Sequence, residues 1–256
     1  MHFDHIVVHI DNDKTLLDKL KAEIEPLGFP FEPNKGKGTK GFKASNIWIG
    51  KQYFEIVRLL TEDGGGWTPH WVEKYRNSKR GVYCIFFATT EIDNIAAKIQ
   101  NSGINTYGPM RFTYKLFWGL LKFSVPFRLV YLPPIPGTDL ELGFIQYDPD
   151  QKDHAGRRMN PNAKENGIVG VKSLSINAPL NTAAIDFLKK VFGKSIKENE
   201  LGFIFDNGGQ LSFQDSATTS VQLMCEVTNQ KYFGTKFKLL NITTTNSLIG
   251  RENEVE

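Results

Sequence analysis

Cysteine is nearly absent. Cys84 and Cys225 are the only two in 256 residues, each inside an apolar run, so neither a disulfide framework nor a clustered zinc site is expected and both read as buried free thiols. An excess of one charge is also missing: 31 Lys and Arg against 28 Asp and Glu leave +3. That is too little to mark a nucleic-acid binder or a membrane-surface binder, although an anionic small ligand is compatible with it. There is no long uninterrupted apolar helix. The most apolar stretch, residues 116–134, carries Lys122 and Arg128 and is broken by Pro126, Pro133 and Pro134, so it fails as a membrane span and reads as buried strands. The opening MHFDHIVVHIDND lacks a basic region followed by an apolar one, and a cytoplasmic protein is expected. No G-x-S-x-G elbow occurs, and Gly193-Lys194-Ser195 has Leu188 where a P-loop needs its first glycine. Nucleophilic hydrolysis and P-loop phosphate binding have no support.

What the chain does have is globular: 40% apolar residues, 23% charged, and 19 Phe among 12% aromatics, in a length that suggests one to two domains. Residues 3–10 are rich in β-branched side chains and put His5, Val7 and His9 on one strand face. Asp11 and Asp13 are helix-start residues, Leu16, Leu17, Leu20 and Ile24 recur at helical spacing, and Pro26 and Gly28 close the helix. A loop with Lys35, Lys37, Lys40 and Lys43 among three glycines follows. Two strands, 44–49 and 52–60, then meet at Gly50-Lys51, with Glu55 inside the second. The order repeats: strand 81–88, helix 90–100 and a closing strand around Glu141, stretched by an insertion at 116–136. A polar linker is expected at 148–166, a third βαβββ-like module at 167–229, and a tail at 230–256. Matching opening strands pairs His5 with Tyr83 and Ser173, and matching closing strands pairs Glu55 with Glu141 and Gln222. Two near-equal separations and one lengthened by the insertion are what a duplicated unit gives.

A strand of the form DHIVVHIDN, a helix ending at LGF and a strand of the form YFEIV resemble the vicinal oxygen chelate superfamily, and more narrowly the glyoxalase-like domain proteins, over residues 1–147 and more weakly over 167–227. The resemblance implies an α+β fold: paired βαβββ modules, 1–60 and 81–147, whose curled mixed sheets surround a cleft, plus the third module. It further implies a divalent metal held by a His on the first strand and a Glu on the last, positions on which His5 and Glu55 fall, with Glu141 as a third ligand. Asn46 matches an Asn before the third strand of the module, and the aromatic run 118–127 matches a pocket wall. The sequence departs from the pattern at Tyr83, which stands where a second His is expected, and in lacking a histidine in the 35–46 loop. One nitrogen and two carboxylates, completed by water or a chelating substrate, would suit Fe(II), Mn(II), Ni(II) or Zn(II).

Each residue also has a plainer role. His5 is a ligand, a base or a polar core histidine, and His9 on the same face is a second base or an edge residue. Glu55 and Glu141 on buried strands need partners. For Glu55 these are a metal, a cation or His5; for Glu141, a metal or the competing cations Arg128 and Lys122. The lysine loop is a lid for an anionic substrate or a solvated turn. Trp48, Tyr83, Trp118 and Phe127 line a cleft or fill a core. The functional expectation is a metal-dependent lyase, isomerase or dioxygenase acting on a small oxygen-chelating compound; the alternative is a metal-free binding or sequestering protein. The third module, whose Ser173 and Gln222 carry no ligand pair, is expected to pair with another chain's copy in a homodimer.

Overall fold

The computed structural model describes residues 1–116, 121–149, 159–193 and 201–248. The first unit is β1 (His2–His9), α1 (Lys14–Ile24), β2 (Lys37–Gly38), β3 (Phe42–Ile49) and β4 (Gln52–Leu59). Asp13 caps α1, its carboxylate accepting from the backbone amides of Thr15 and Leu16, and the helix buries Leu17, Leu20 and Ile24. Residues 61–80, which in sequence are a hydrophilic connection with three consecutive glycines and Pro69, carry a further helix, α2 (Pro69–Arg76), begun by a proline that needs no hydrogen-bond acceptor there.

The second unit is β5 (Gly81–Ala88), α3 (Ile92–Asn101), β6 (Tyr107–Met110), β9 (Phe127–Tyr131) and β10 (Glu141–Tyr147), with a hairpin β7 (Thr113–Leu116) and β8 (Leu121–Ser124) inserted. Within the insertion β7 and β8 form their own two-stranded sheet, and Leu129, Val130, Tyr131 and Leu132 are buried.

One eight-stranded sheet results, ordered β2-β3-β4-β1-β5-β10-β9-β6. β1 runs parallel to β4, β5 parallel to β10, and β1 antiparallel to β5 at the centre. This α+β arrangement is the expected fold class. One face packs Ile6, Val8, Phe54, Ile56, Ile85, Phe87, Leu142 and Phe144 into the main core. The other face is the hollow, with a separate cluster that includes Val7, Val57, Cys84, Phe86, Leu129 and Tyr131. Strand alternation dictates this division. Register shifts on β1 between Phe3 and His5, and on β5 opposite Val7 and Val8, mark bulges at Asp4 and Tyr83, each beside a residue of the hollow.

The remaining strands are β11 (Ile168–Ala178), α4 (Thr182–Phe192), β12 (Leu201–Ile204), β13 (Gln210–Asp215), β14 (Ser220–Val227), β15 (Lys236–Leu239) and β16 (Ile242–Leu248). They form a second sheet, β12-β13-β11-β14-β16-β15. Its centre repeats the first: β11 is parallel to β13, β14 is parallel to β16, and β11 is antiparallel to β14. The strand at 221–227, expected to close a third module, therefore opens a fourth, in which a turn of 3-10 helix at Gln230–Tyr232 replaces the long helix. Residues 236–248, expected within a tail, are the last two strands. An alternating strand does not reveal its neighbour, because opening and closing strands share one pattern. The edge expected to await a second chain is filled by this chain's own β14. The linker is docked where it is described: Asn162 is buried, its Nδ2 donating to the Gly50 carbonyl at 2.7 Å and its Oδ1 accepting from the Gly50 amide at 3.0 Å. Among the described residues no helix is long and apolar enough to cross a membrane. Cys84 and Cys225 are buried free thiols.

Candidate functional site

Strand register sets the layout. Asn46 pairs with Glu55, Glu55 with Val7, Val7 with Cys84 and Cys84 with Glu141, so these five stand in one row across the hollow. Glu55 and Glu141 are three strand spacings apart, roughly 14 Å before curling. The repeat alignment shifts accordingly. The pairs His5–Phe86 and Val7–Cys84 flank Ile6–Ile85, so the twofold relation matches His5 with Cys84 rather than with Tyr83. His5 pairs with Tyr53 and Cys84 with Glu141, which makes Tyr53, not Glu55, the counterpart of Glu141. The bulge at Tyr83 adds the residue that displaces the count.

At one end of the hollow lie His5 and Glu55. The His5 ring is stacked between Tyr53 and Phe86, with centroids 4.5 and 4.6 Å away. Its Nδ1 is 2.5 Å from Asp4 Oδ1, which also accepts from the Tyr147 hydroxyl at 3.0 Å. With Asp4 as the acceptor, Nδ1 carries a proton, which leaves Nε2 as the ring nitrogen facing a ligand. Glu55 is half-buried on the same face. Burial raises its pKa, partly offset by the nearby His5 and by Lys37, while Asp4 pushes it further up. Lys37, paired with Ala44 of β3, is on the hollow side. Trp48 packs on Tyr53 at 4.4 Å and Phe127 on Tyr147 at 6.0 Å, and half-buried Asn46 stands across from Glu55. Trp118 lies outside the described residues.

At the other end α2 lies on the hollow. Trp71, 1% exposed, packs edge-on to Tyr131 and Tyr83. Glu141, 2% exposed, accepts from Trp71 Nε1 at 2.8 Å, is 3.0 Å from His70 Nε2, and takes the Lys74 ammonium on its other oxygen. Burial pushes its pKa up, but the hydrogen bonds from His70 and Lys74 outweigh that, and the net shift is downward. Of the cations expected to compete for it, Arg128 pairs with Asp93 instead, and the Lys122 side chain lies outside the described ones. His9 stacks flat on Tyr83 at 3.9 Å, and its Nε2 accepts from Trp67 Nε1 at 3.1 Å. Burial, with Arg80 and Lys74 nearby, lowers its pKa to about 3. It is a neutral, fixed part of the packing, and Tyr83 belongs to this end, its hydroxyl donating to the Lys79 carbonyl.

The three residues implied as metal ligands are thus divided. His5 Nε2 and the Glu55 carboxylate can offer one nitrogen and one oxygen donor; Glu141 is turned into α2 and held by three donors. Among the described residues no group of three or more His, Cys, Asp or Glu has metal-holding geometry. As folded, the donor set does not fit a resident metal. Sequence reasoning missed Asp4 and Tyr147, which orient His5, and His70, Trp71 and Lys74, which engage Glu141. The adjacency of Asp4 to His5 was visible, but only the bulge brings both to one site.

Two βαβββ units paired through antiparallel opening strands, with a titratable hollow between their closing strands, define a vicinal oxygen chelate fold. The chain belongs to the glyoxalase-like domain family, whose model matches residues 3–192. A crystal structure of a hypothetical protein from Staphylococcus aureus shares this fold over 96% of this chain and 99% of its own, at 15% identity and a TM-score of 0.70. Methylmalonyl-CoA epimerase from Mycobacterium tuberculosis aligns with 59% of this chain and 91% of its own, at 10% identity and a TM-score of 0.40. A hypothetical protein from Bacillus halodurans aligns over 57% and 94%, at 16% identity and 0.40. No curated protein matches the chain.

Proposed function

We propose that the His5–Glu55 end of the hollow binds a small organic compound bearing a carbonyl or enol oxygen, and that these two residues move a proton on it in an isomerase- or lyase-type reaction. The observation that carries this reading is a half-buried carboxylate with a raised pKa beside an imidazole fixed at Nδ1 by Asp4. A carboxyl group shifted toward the working pH exchanges protons more readily than one near 4, and His5 Nε2, which can hold or release a proton, gives the second site of exchange. In the forward direction the Glu55 carboxylate takes the proton next to the carbonyl and His5, carrying a proton on Nε2 as well as on Nδ1, gives one to the neighbouring atom, so that Glu55 ends protonated and His5 neutral until solvent exchange resets both. The Asn46 amide, across from Glu55, is placed to hydrogen-bond the substrate oxygen. Lys37 on the hollow side favours a ligand that carries a negative group.

A second reading, binding without chemistry, is favoured by the aromatic lining of Trp48, Tyr53, Phe86 and Phe127. Incubation with 2-oxo and 3-oxo acids in heavy water, followed by NMR, separates the two. Enzyme chemistry predicts deuterium incorporation next to the carbonyl that drops about a hundredfold or more in Glu55→Gln while binding persists. Saturable binding with no incorporation in the wild type supports the binder. Incorporation unchanged in Glu55→Gln rejects the assigned role of Glu55.

A further inference from the structure

Arg58 sits on β4 on the face opposite Glu55. It is 6% exposed, and among the described residues its one hydrogen bond runs from Nη2 to the Pro33 carbonyl at 2.7 Å. Ser45 Oγ donates to that same carbonyl, also at 2.7 Å. Arg58 Nε is sealed from solvent with no partner, while Nη1 stays accessible and unbonded among the described residues. Arg80 pairs with Asp11, Arg111 with Asp148 and Arg128 with Asp93, and Arg76, which donates to the Glu62 carbonyl, is exposed to water. Among the described residues no carboxylate pairs with Arg58. Instead its direct cross-strand neighbour on β3 is Lys43, a like charge on the same sheet face, an arrangement that destabilises a sheet unless something compensates it. Lys43 Nζ reaches only the Gly36 carbonyl, at 3.5 Å.

The loop backbone is held over this pair. Gly36 has φ +148, and a side chain there would lie 1.9 Å from the Ala44 carbonyl oxygen. Only glycine permits that approach. The result is a buried guanidinium with an exposed ammonium on the cross-strand neighbour, and among the described residues backbone carbonyls are the acceptors of both. A charge out of water without a counter-charge is costly. Burial alone lowers the Arg58 pKa, with no acid opposing it.

We propose that Arg58 and Lys43 bind one phosphoryl-type oxyanion, free or carried by a small molecule, at a site on the sheet face opposite the hollow. A guanidinium with free N–H donors presents them in a planar arrangement that matches two oxygens of such a group, and the ammonium adds a point charge. The site does not depend on the proton-transfer reading, because Arg58 and Glu55 alternate to opposite faces of one strand.

The test follows the Arg58 Nε–H resonance and the melting temperature during titration with sodium phosphate, phenyl phosphate and sodium chloride at matched ionic strength. Phosphate is expected to shift both saturably and chloride to shift neither. Lys43→Met should weaken the phosphate response about fivefold or more, and Arg58→Met should abolish it. Tighter binding of phenyl phosphate than of phosphate points to a phosphorylated small molecule, and equal binding to the free anion; both support the site. An equal response to chloride, no response to either phosphate, or a Lys43→Met protein that titrates like the wild type overturns it. The Lys43 arm holds even if Arg58→Met does not fold.

Discussion

His9 and Glu141 occupy the end of the hollow covered by α2; His5 and Glu55 occupy the other. Both pairs are a histidine and a carboxylate on one sheet face, yet their surroundings treat them oppositely. Glu141 has three donors and a depressed pKa, whereas Glu55 has an elevated one. His9 accepts from Trp67 and is held neutral, whereas His5 is oriented through Nδ1 alone. Residue type does not separate a carboxylate held in its charged form from one pushed toward its neutral form; the supply of hydrogen-bond donors does.

The sharpest way to break this contrast is Trp71→Ala. Removing the ring that fills the α2 end and donates to Glu141 should cost roughly 3–5 kcal/mol in urea denaturation. His5→Ala at the other end should cost clearly less, and equal losses would mean that both ends are simply core.

Acid comes next. Because His9 has a folded pKa near 3 against 6.5 unfolded, its contribution to stability is complete above pH 6.5 and is lost as pH falls from there toward 3. The slope approaches about 1.4 kcal/mol per pH unit. In His9→Phe that part of the slope should vanish, measured as the difference between the two pH–stability curves.

Glu141→Gln should cost about 2 kcal/mol at neutral pH by losing charge-assisted bonds. The wild-type contribution is present above the unfolded pKa and disappears as pH drops through the lower folded value. Glu55→Gln should stay within about 1 kcal/mol of wild type, because a raised pKa means the charged form is already disfavoured. For Glu55 the sign reverses: stability is recovered as pH falls from the folded pKa to the unfolded one. The smallest effect is Lys37→Met, which should raise the pKa of Glu55 by a few tenths of a unit, read from its carboxyl carbon resonance.

Much of the first sheet was legible in the sequence because its strands alternate cleanly and α1 carries a cap and a stop. His5 and Glu55 were legible as a pair for the same reason. The fates of Glu141 and Tyr83 were not, since both depend on α2, whose PHWVEKYR run sits in a stretch read as a hydrophilic connection, and on a one-residue bulge that pattern reading cannot count. The second sheet hid its fourth unit because a short turn stands where a long helix was the signal sought.

The Gly50 turn has a further significance. It joins β3 to β4, the strands that bear Asn46 and Glu55, and Asn162 grips both its amide and its carbonyl as another peptide group would. Nearby, Gln52 donates to the Phe3 carbonyl and accepts from the Val171 amide. The distal half of the chain thus acts as a brace, fixing the turn between the strands that carry Asn46 and Glu55. Shortening the protein after the first sheet would leave the residues of the hollow in place but remove what holds them still.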